Sequence, residues 1–346
     1  MYCGERDGGR VPVSTARQDE RGNTMTNNFL ITLRNDTGCG CPGIGFGTPG
    51  CIEIPDTNTN YDVRAAMDPQ QWLNHIPDTS VLVFVHGFGN DSCKIIERHN
   101  TIKPHVPPGV TLASFDWPSG NPGFSAYQND KLNAASSAPY FIANCLKVLF
   151  RKFPPGNVHL FGHSMGAYVI EQVFQTPQVF TVGHVLLAAG DVDQLNYGAG
   201  TPLLANYLSH CNNLSVYWSQ DDQALLDSQR INHYVPLGLQ GFKGVVPDRC
   251  YSIDSAGYFR NYAKNDPPPA PPPPPPPNLP IPPISAAEYS HVWYLLYAPK
   301  PPPVNDFYTD VGAVLQGYLT FPTRAPKPPP PLPPDKNSFA LQRPKA

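Results

Sequence analysis

The sequence predicts an α/β fold, a mostly parallel central sheet with helices on both faces. Three observations predict it. From residue 81 onward, short and almost continuous apolar runs recur, the pattern of strands buried on both sides. Stretches with helical periodicity separate those runs, the alternation that builds parallel sheets. In residues 158–169, VHLFGHSMGAYV, an apolar run passes straight into a serine set between two glycines, then into helix-forming residues.

The elements follow in chain order. Residues 29–33 form a candidate first strand, and residues 39–51, CGCPGIGFGTPGC, read as a glycine-rich loop. Gly45, Gly47 and Gly50 spell a GxGxxG there. Dinucleotide binding is rejected, because Pro49 precedes the last glycine, no clear strand leads in and no helix follows. VLVFVHG (81–87) and GVTLASFDW (109–117) are strands, and 129–153 is a long helix that Pro139 should kink or split. A strand (158–164) and a helix (165–174) follow. HVLLAAGD (184–191) and LSVYWSQDD (214–222) are strands around a helical stretch at 203–211. RCYSIDS (249–255) reads as an edge strand and 310–319 as a closing helix.

Composition sets the outer limits. Of 44 prolines in 346 residues, 13 fall in residues 267–283, which excludes helix and central strand there. That run is read as a tolerated surface insertion; a docking arm for a protein that binds proline-rich ligands is the functional alternative. We expect a disordered extension over 1–25, one α/β domain over 26–322, and a disordered proline-rich tail over 323–346. The net charge of −3, without a basic patch, speaks against a nucleic-acid partner. No run of 18 apolar residues predicts a membrane span, and residues 1–24 lack the apolar core of a signal peptide, so a cytoplasmic location is expected. The start at Met1 or Met25 stays open. Eight cysteines are expected to be thiols by default, with a Cys39–Cys51 or Cys41–Cys51 bridge preferred over a metal site, since their spacing does not match zinc patterns.

Gly162, Ser164 and Gly166 make the Gly-x-Ser-x-Gly pattern of a nucleophile elbow. The two glycines are required where a side chain would collide with neighbouring backbone. The serine then sits at a helix N-terminus, whose N–H groups and dipole favour an oxyanion. A serine needs a base to take its proton. Downstream of residue 222 only His233 and His291 remain, and His291, near the chain end before an apolar run, is the candidate base; His233 reads as a surface residue. Asp191, Asp193, Asp221 and Asp222 all follow strands, where catalytic groups of such sheets gather. Upstream, HGFGN (86–90) follows directly on a strand, and the backbone N–H groups of Phe88 and Met165 are candidates for an oxyanion hole.

FVHGF (84–88), SFDWPSG (114–120), FGHSMG (161–166), LLAAGDVD (186–193), YWSQDDQAL (217–225), SIDS (252–255) and SHVWY (290–294) together resemble the α/β-hydrolase superfamily. They are most similar to a bacterial branch with hydrolase motifs and no assigned substrate. The resemblance spans about residues 81–294. It implies an α/β-hydrolase fold, a Ser164–Asp222–His291 triad with Asp222 rather than Asp221 as the acid, and ester hydrolysis of the esterase or lipase kind. It implies no cofactor and no metal, and a small-molecule or lipid ester as substrate. The proline-rich insertion before His291 departs from the pattern. A hydrolase fold retained as a scaffold, binding partners through its proline-rich segments, is the competing class.

Overall fold

Successive residues of β3 (Ser80–Val85) point to opposite sides: Val81, Val83 and Val85 join one apolar cluster, Leu82 and Phe84 another. A strand buried on both faces needs helices above and below it, and this is the architecture of the computed structural model. It describes residues 27–39, 45–120, 126–177, 180–257, 290–295, 306–317, 324–326 and 337–341. The proline-rich run at 267–283 and both candidate start residues lie outside them.

Among the described residues, ten strands form one sheet in the order β2-β1-β4-β3-β5-β6-β7-β8-β10-β9. They are β1 (Asn27–Arg34), β2 (Phe46–Pro55), β3, β4 (Val110–Asp116), β5 (Val158–His163), β6 (Val182–Ala188), β7 (Cys211–Trp218), β8 (Cys250–Asp254), β9 (Arg324–Pro326) and β10 (Ser338–Leu341). Only the two edge strands, β2 and β9, run antiparallel to their neighbours. The fold is that of the α/β hydrolases. On one face lie α1 (Pro69–His75), α3 (Tyr127–Tyr140), α5 (Met165–Gln175) and α6 (Pro202–His210), packed on the cluster that holds Trp72, Phe141, Ile170 and Leu204. The other face holds α2 (Ser92–Ile102) and the helix Asp306–Leu315, packed with the Trp293–Leu295 turn on Leu82, Phe84 and Phe161.

The kink expected at Pro139 takes a specific form. α3 runs through Pro139 to Tyr140, passes into a π-helical turn at Phe141–Leu146, and ends in α4 (Lys147–Leu149). Proline supplies no N–H, and a π turn is one way the ladder absorbs that defect.

Four expectations are corrected. The glycine-rich loop at 39–51 is in its second half the edge strand β2; an edge tolerates Pro49, which no central strand would. RCYSIDS is not an edge, because β10 pairs beyond β8 with Ser338 opposite Ser252. For the same reason the tail from 323 to 346 is not wholly disordered. Phe339 and Leu341 alternate inward and are buried, enough apolar surface to hold a four-residue strand between β8 and β9. Finally, Cys39 is bonded to Cys93 on α2, not to Cys51. Cys51 is a buried thiol on β2, and Cys41 lies outside the described residues.

Two histidines lie stacked under the far end of the sheet. The His159 and His184 rings are 5.1 Å apart, nearly parallel. The His184 backbone N–H donates to His159 Nδ1 at 3.0 Å, so that nitrogen holds no proton. His159 Nε2 then donates to Ser80 Oγ at 3.0 Å. Burial, reinforced by His184, depresses His159 to about 3; burial depresses His184 to about 4. Both are neutral when folded. Unfolded, both gain protons below about pH 6.5. Stability is therefore fully present above that pH and is lost as pH falls toward the folded values, by up to about 1.4 kcal/mol per pH unit for each histidine. Urea midpoints measured from pH 7.5 to 5.0 should fall, and the His159→Asn/His184→Asn variant should show a flatter slope.

Candidate active site

The sharp turn from β5 into α5 follows from what would happen if its glycines carried side chains. A Cβ at Gly162 would lie 2.9 Å from Ala167 Cα and N, and one at Gly166 would lie 2.0 Å from Val85 O. Only glycine lets α5 press against the ends of β5 and β3. Between them Ser164 takes φ 54°, ψ −123°, a strained backbone for a residue with a side chain. Its N–H donates to Ala188 O at 3.1 Å, and its carbonyl accepts from Ala167 N and from Asp191 N. The strain is thus held from β6 on one side and the first turn of α5 on the other.

Gly87 abuts the serine. A Cβ there would stand 2.8 Å from Ser164 Cβ and 3.3 Å from Ser164 Oγ. The next residue, Phe88, and Met165 at the start of α5 each have a backbone N–H that donates to no described residue. Met165 is at the first helical position, where no intrahelical partner exists. The loop that carries Phe88 is fixed elsewhere: Gly89 N–H donates to Ser119 Oγ at 2.9 Å, and Asn90 Nδ2 donates to the carbonyls of Gly87 and Phe88.

Asp222 and His291 meet from 69 residues apart, Nδ1 to Oδ2 at 2.8 Å. Asp222 is fully buried. Its other oxygen caps α7 (Gln223–Asn232) by accepting from Leu225 N at 3.0 Å. The preceding residue of the histidine turn, Ser290, accepts from Gln223 N through its hydroxyl. His163 Nε2 donates to His291 O at 3.1 Å, and its ring lies 4.8 Å from the His291 ring. Burial, and then His291, hold His163 far below the ordinary imidazole value, so it is a neutral donor. His163 stands inside the FGHSMG motif, yet its spacing gave no sign that it props the histidine turn. His233 is exposed and ends α7 in a left-handed conformation.

Asp191 has other partners. Tyr127 OH and Ser228 Oγ each donate to it at 2.5 Å, and Tyr234 OH lies 3.2 Å from Oδ1. Lys131 completes this group, bonded to Asn232 Oδ1 and Tyr234 OH. The Phe88 ring packs edge-on against Tyr127. Asp193 caps the short turn that follows. Strand-end position alone placed Asp191 and Asp222 equally well and the resemblance pointed to Asp222; in the fold, Asp191 is bound by hydroxyls and Asp222 is bonded to a histidine. Among the described residues, no group of three metal-ligating side chains is gathered. No helix among them is long and apolar enough to cross a membrane.

Residues 65–238 match the family described as alpha/beta hydrolase of unknown function (DUF900). No curated protein matches. Solved structures similar to the chain include a phosphonate-inhibited esterase B from Lactobacillus rhamnosis, at 11% identity over 88% of each chain and a TM-score of 0.37. An esterase from Pyrobaculum calidifontis is similar at 12% identity over 67% of this chain and 76% of its own, TM-score 0.34. Carboxyl esterase 2 of Tuber melanosporum is similar at 11% identity over 72% and 82%, TM-score 0.33.

The packing at the elbow is testable without any substrate. Gly166→Ala forces a methyl into Val85 O, so it should destabilise the protein by about 3 kcal/mol or more, at the upper end of overpacking costs. Gly89→Ala, with open space around its Cβ, meets only the cost of its φ of 69° and should lose about 1 kcal/mol. Chemical denaturation of the two variants checks the order.

Proposed function

The chain belongs to the α/β-hydrolase family that matches residues 65–238, and we propose that it is a serine hydrolase of carboxylic esters working through an acyl-enzyme. The observation that carries this reading is the Asp222–His291 bond, whose histidine turn is held by His163, the residue before the strained Ser164, together with Phe88 and Met165 N–H groups that donate to no described residue. In the proposed cycle Ser164 Oγ attacks the ester carbonyl as His291 Nε2 takes its proton. The tetrahedral oxyanion is held by the N–H groups of Phe88 and Met165, each contributing about 3 kcal/mol. Collapse expels the alcohol, which receives the proton from His291. A water then repeats the sequence on the acyl-serine and releases the acid. Asp222 holds Nδ1 of His291 protonated and balances the transient imidazolium. No step calls for a metal or an organic cofactor.

Ser164→Ala should lower turnover of a small ester at least about a thousandfold, and a fluorophosphonate probe should label the wild type at Ser164 alone. Unlabelled Ser164, with turnover kept in the alanine variant, would leave the fold as a scaffold and remove the enzymatic reading. Asp222→Asn should cost between about a hundredfold and ten-thousandfold in kcat, since it favours the wrong tautomer. Asp191→Asn, away from the histidine, should stay within about tenfold. The reverse order in parallel kcat measurements would move the acid to Asp191.

A further inference from the structure

A buried arginine stands behind the loop that carries Phe88. Arg34 ends β1 and is 1% exposed. Its Nε donates to Asp116 Oδ1 at 2.7 Å, Nη1 donates to Ser119 O, and Nη2 donates to Asn90 O at 2.7 Å. One planar group thus ties three segments: the end of β4, the turn after it, and the last residue of the HGFGN loop. Asp116 carries the far side of the same network. Its carboxylate accepts from Tyr61 OH and lies 3.1 Å from His86 Nε2, while His86 Nδ1 lies 2.9 Å from Gly87 O. The His86 ring is stacked flat on Trp117, whose Nε1 donates to His86 O. Burial pushes the Asp116 carboxyl up, but the Arg34 guanidinium, His86 and Tyr61 outweigh it and hold it below the usual carboxylate range. The pair is therefore charged, and through Arg34 Nη2 it holds the loop carbonyl of Asn90.

The sequence builds this position deliberately. Thr32 pairs with Gly50 and Arg34 with Phe46, so the register slips between them, and such irregularities re-aim side chains. The slip needs glycine. A Cβ at Gly47 would lie 2.4 Å from Arg34 O, and one at Gly45 would lie 2.3 Å from the Asn35 side chain. The GxGxxG stretch thus has a packing role around Arg34. All of this precedes residue 65, where the family match begins.

We propose that Arg34 is a positioning residue for the oxyanion hole: by holding Asn90 O and Ser119 O from behind, it turns the Phe88 N–H toward the carbonyl bound at Ser164. The inference rests on the ester-hydrolase reading. Asn90 Nδ2 and Ser119 Oγ take the Gly87 and Phe88 carbonyls and the Gly89 N–H, and Phe88 N–H donates to no described residue. A loop freed from Arg34 still binds ester but no longer meets the oxyanion at a fixed distance. The loss therefore falls on the transition state and not on the ground state.

The test uses three variants of the full chain. Arg34→Lys keeps a cation at Asp116 but cannot reach both carbonyls. Arg34→Met/Asp116→Asn removes both charges together, because removing one partner alone strands a buried ion. Gly47→Ala presses on the Arg34 backbone. Each folded variant, checked by circular dichroism, should lose about tenfold to a hundredfold in kcat with KM within about twofold, less than the loss of a whole donor. Inhibition by a trifluoromethyl ketone, whose serine adduct bears the oxyanion, should weaken in parallel with kcat/KM. Unchanged kcat, an unchanged inhibition constant despite lower kcat, or failure of all three to fold would each overturn the proposal, the last by making Arg34 purely structural. Ser164→Ala in the same assay separates the two readings. Turnover surviving there sinks the hydrolase; turnover surviving only in the Arg34 variants sinks the positioning role alone.

Discussion

The backbone of Ser164 at φ 54°, ψ −123° is the constraint on which the rest of this end of the molecule depends. Such a conformation costs about 1–3 kcal/mol and persists only where its surroundings over-determine it. Here they do so from four sides. β6 accepts its N–H, α5 and Asp191 donate to its carbonyl, Gly166 lets the helix touch the end of β3, and Gly87 lies against its side chain. The strand order serves the same end, since β3 and β6 flank β5 directly and bring the HGFGN loop and Asp191 to it.

The first turn of α7 performs a second task with the same atoms. Asp222 spends one oxygen on the helix cap and the other on His291, and Gln223 N–H holds Ser290. Helix N-termini favour negative charge, so the cap and the histidine bond together give a fully buried carboxylate two directed partners. The histidine turn then needs support from below, which His163 gives at the carbonyl of His291, while Trp293, Tyr294 and Leu295 are sunk in the apolar cluster of the opposite face. Asp222, His291 and Ser164 are thereby fixed to three different elements of one core.

Much of this was legible in the sequence for a physical reason: the elbow is a local steric necessity, and local necessities are written in adjacent residues. The two glycines around Ser164 and the apolar runs of β3 to β7 fall in this class. What the sequence did not show depends on pairing at long range. β2 hides behind Gly and Pro that an edge alone permits; β10 is four residues in a proline-rich tail, stabilised only because β8 waits for it. The Cys39–Cys93 bond joins residues no spacing rule connects. The different surroundings of Asp191, bound by the hydroxyls of Tyr127, Ser228 and Tyr234 from three segments, show only in the fold. Arg34 looked like an ordinary charged residue closing an apolar strand.

The N-terminal hairpin is fastened to the HGFGN loop twice, and the two fastenings differ in kind. The Arg34–Asp116 pair acts through directed bonds in a dry interior, where it fixes orientation but contributes little net stability once desolvation is set against attraction. The disulfide from Cys39 to Cys93 closes a loop across a sequence separation of 54 and lands on α2, directly after that loop. In the chain-entropy account a closure of this size contributes about 4 kcal/mol, by restricting the unfolded chain and not by adding a contact. One fastening sets geometry and the other keeps the hairpin in place while it does so. β1 also pairs in parallel with β4 from Phe29 to Thr32, so the hairpin is continuous with the sheet it serves. A segment outside the family match therefore contributes to the core of the proposed site, because the HGFGN loop has its polar backbone anchored in β1 and its covalent neighbour anchored to the turn that follows β1.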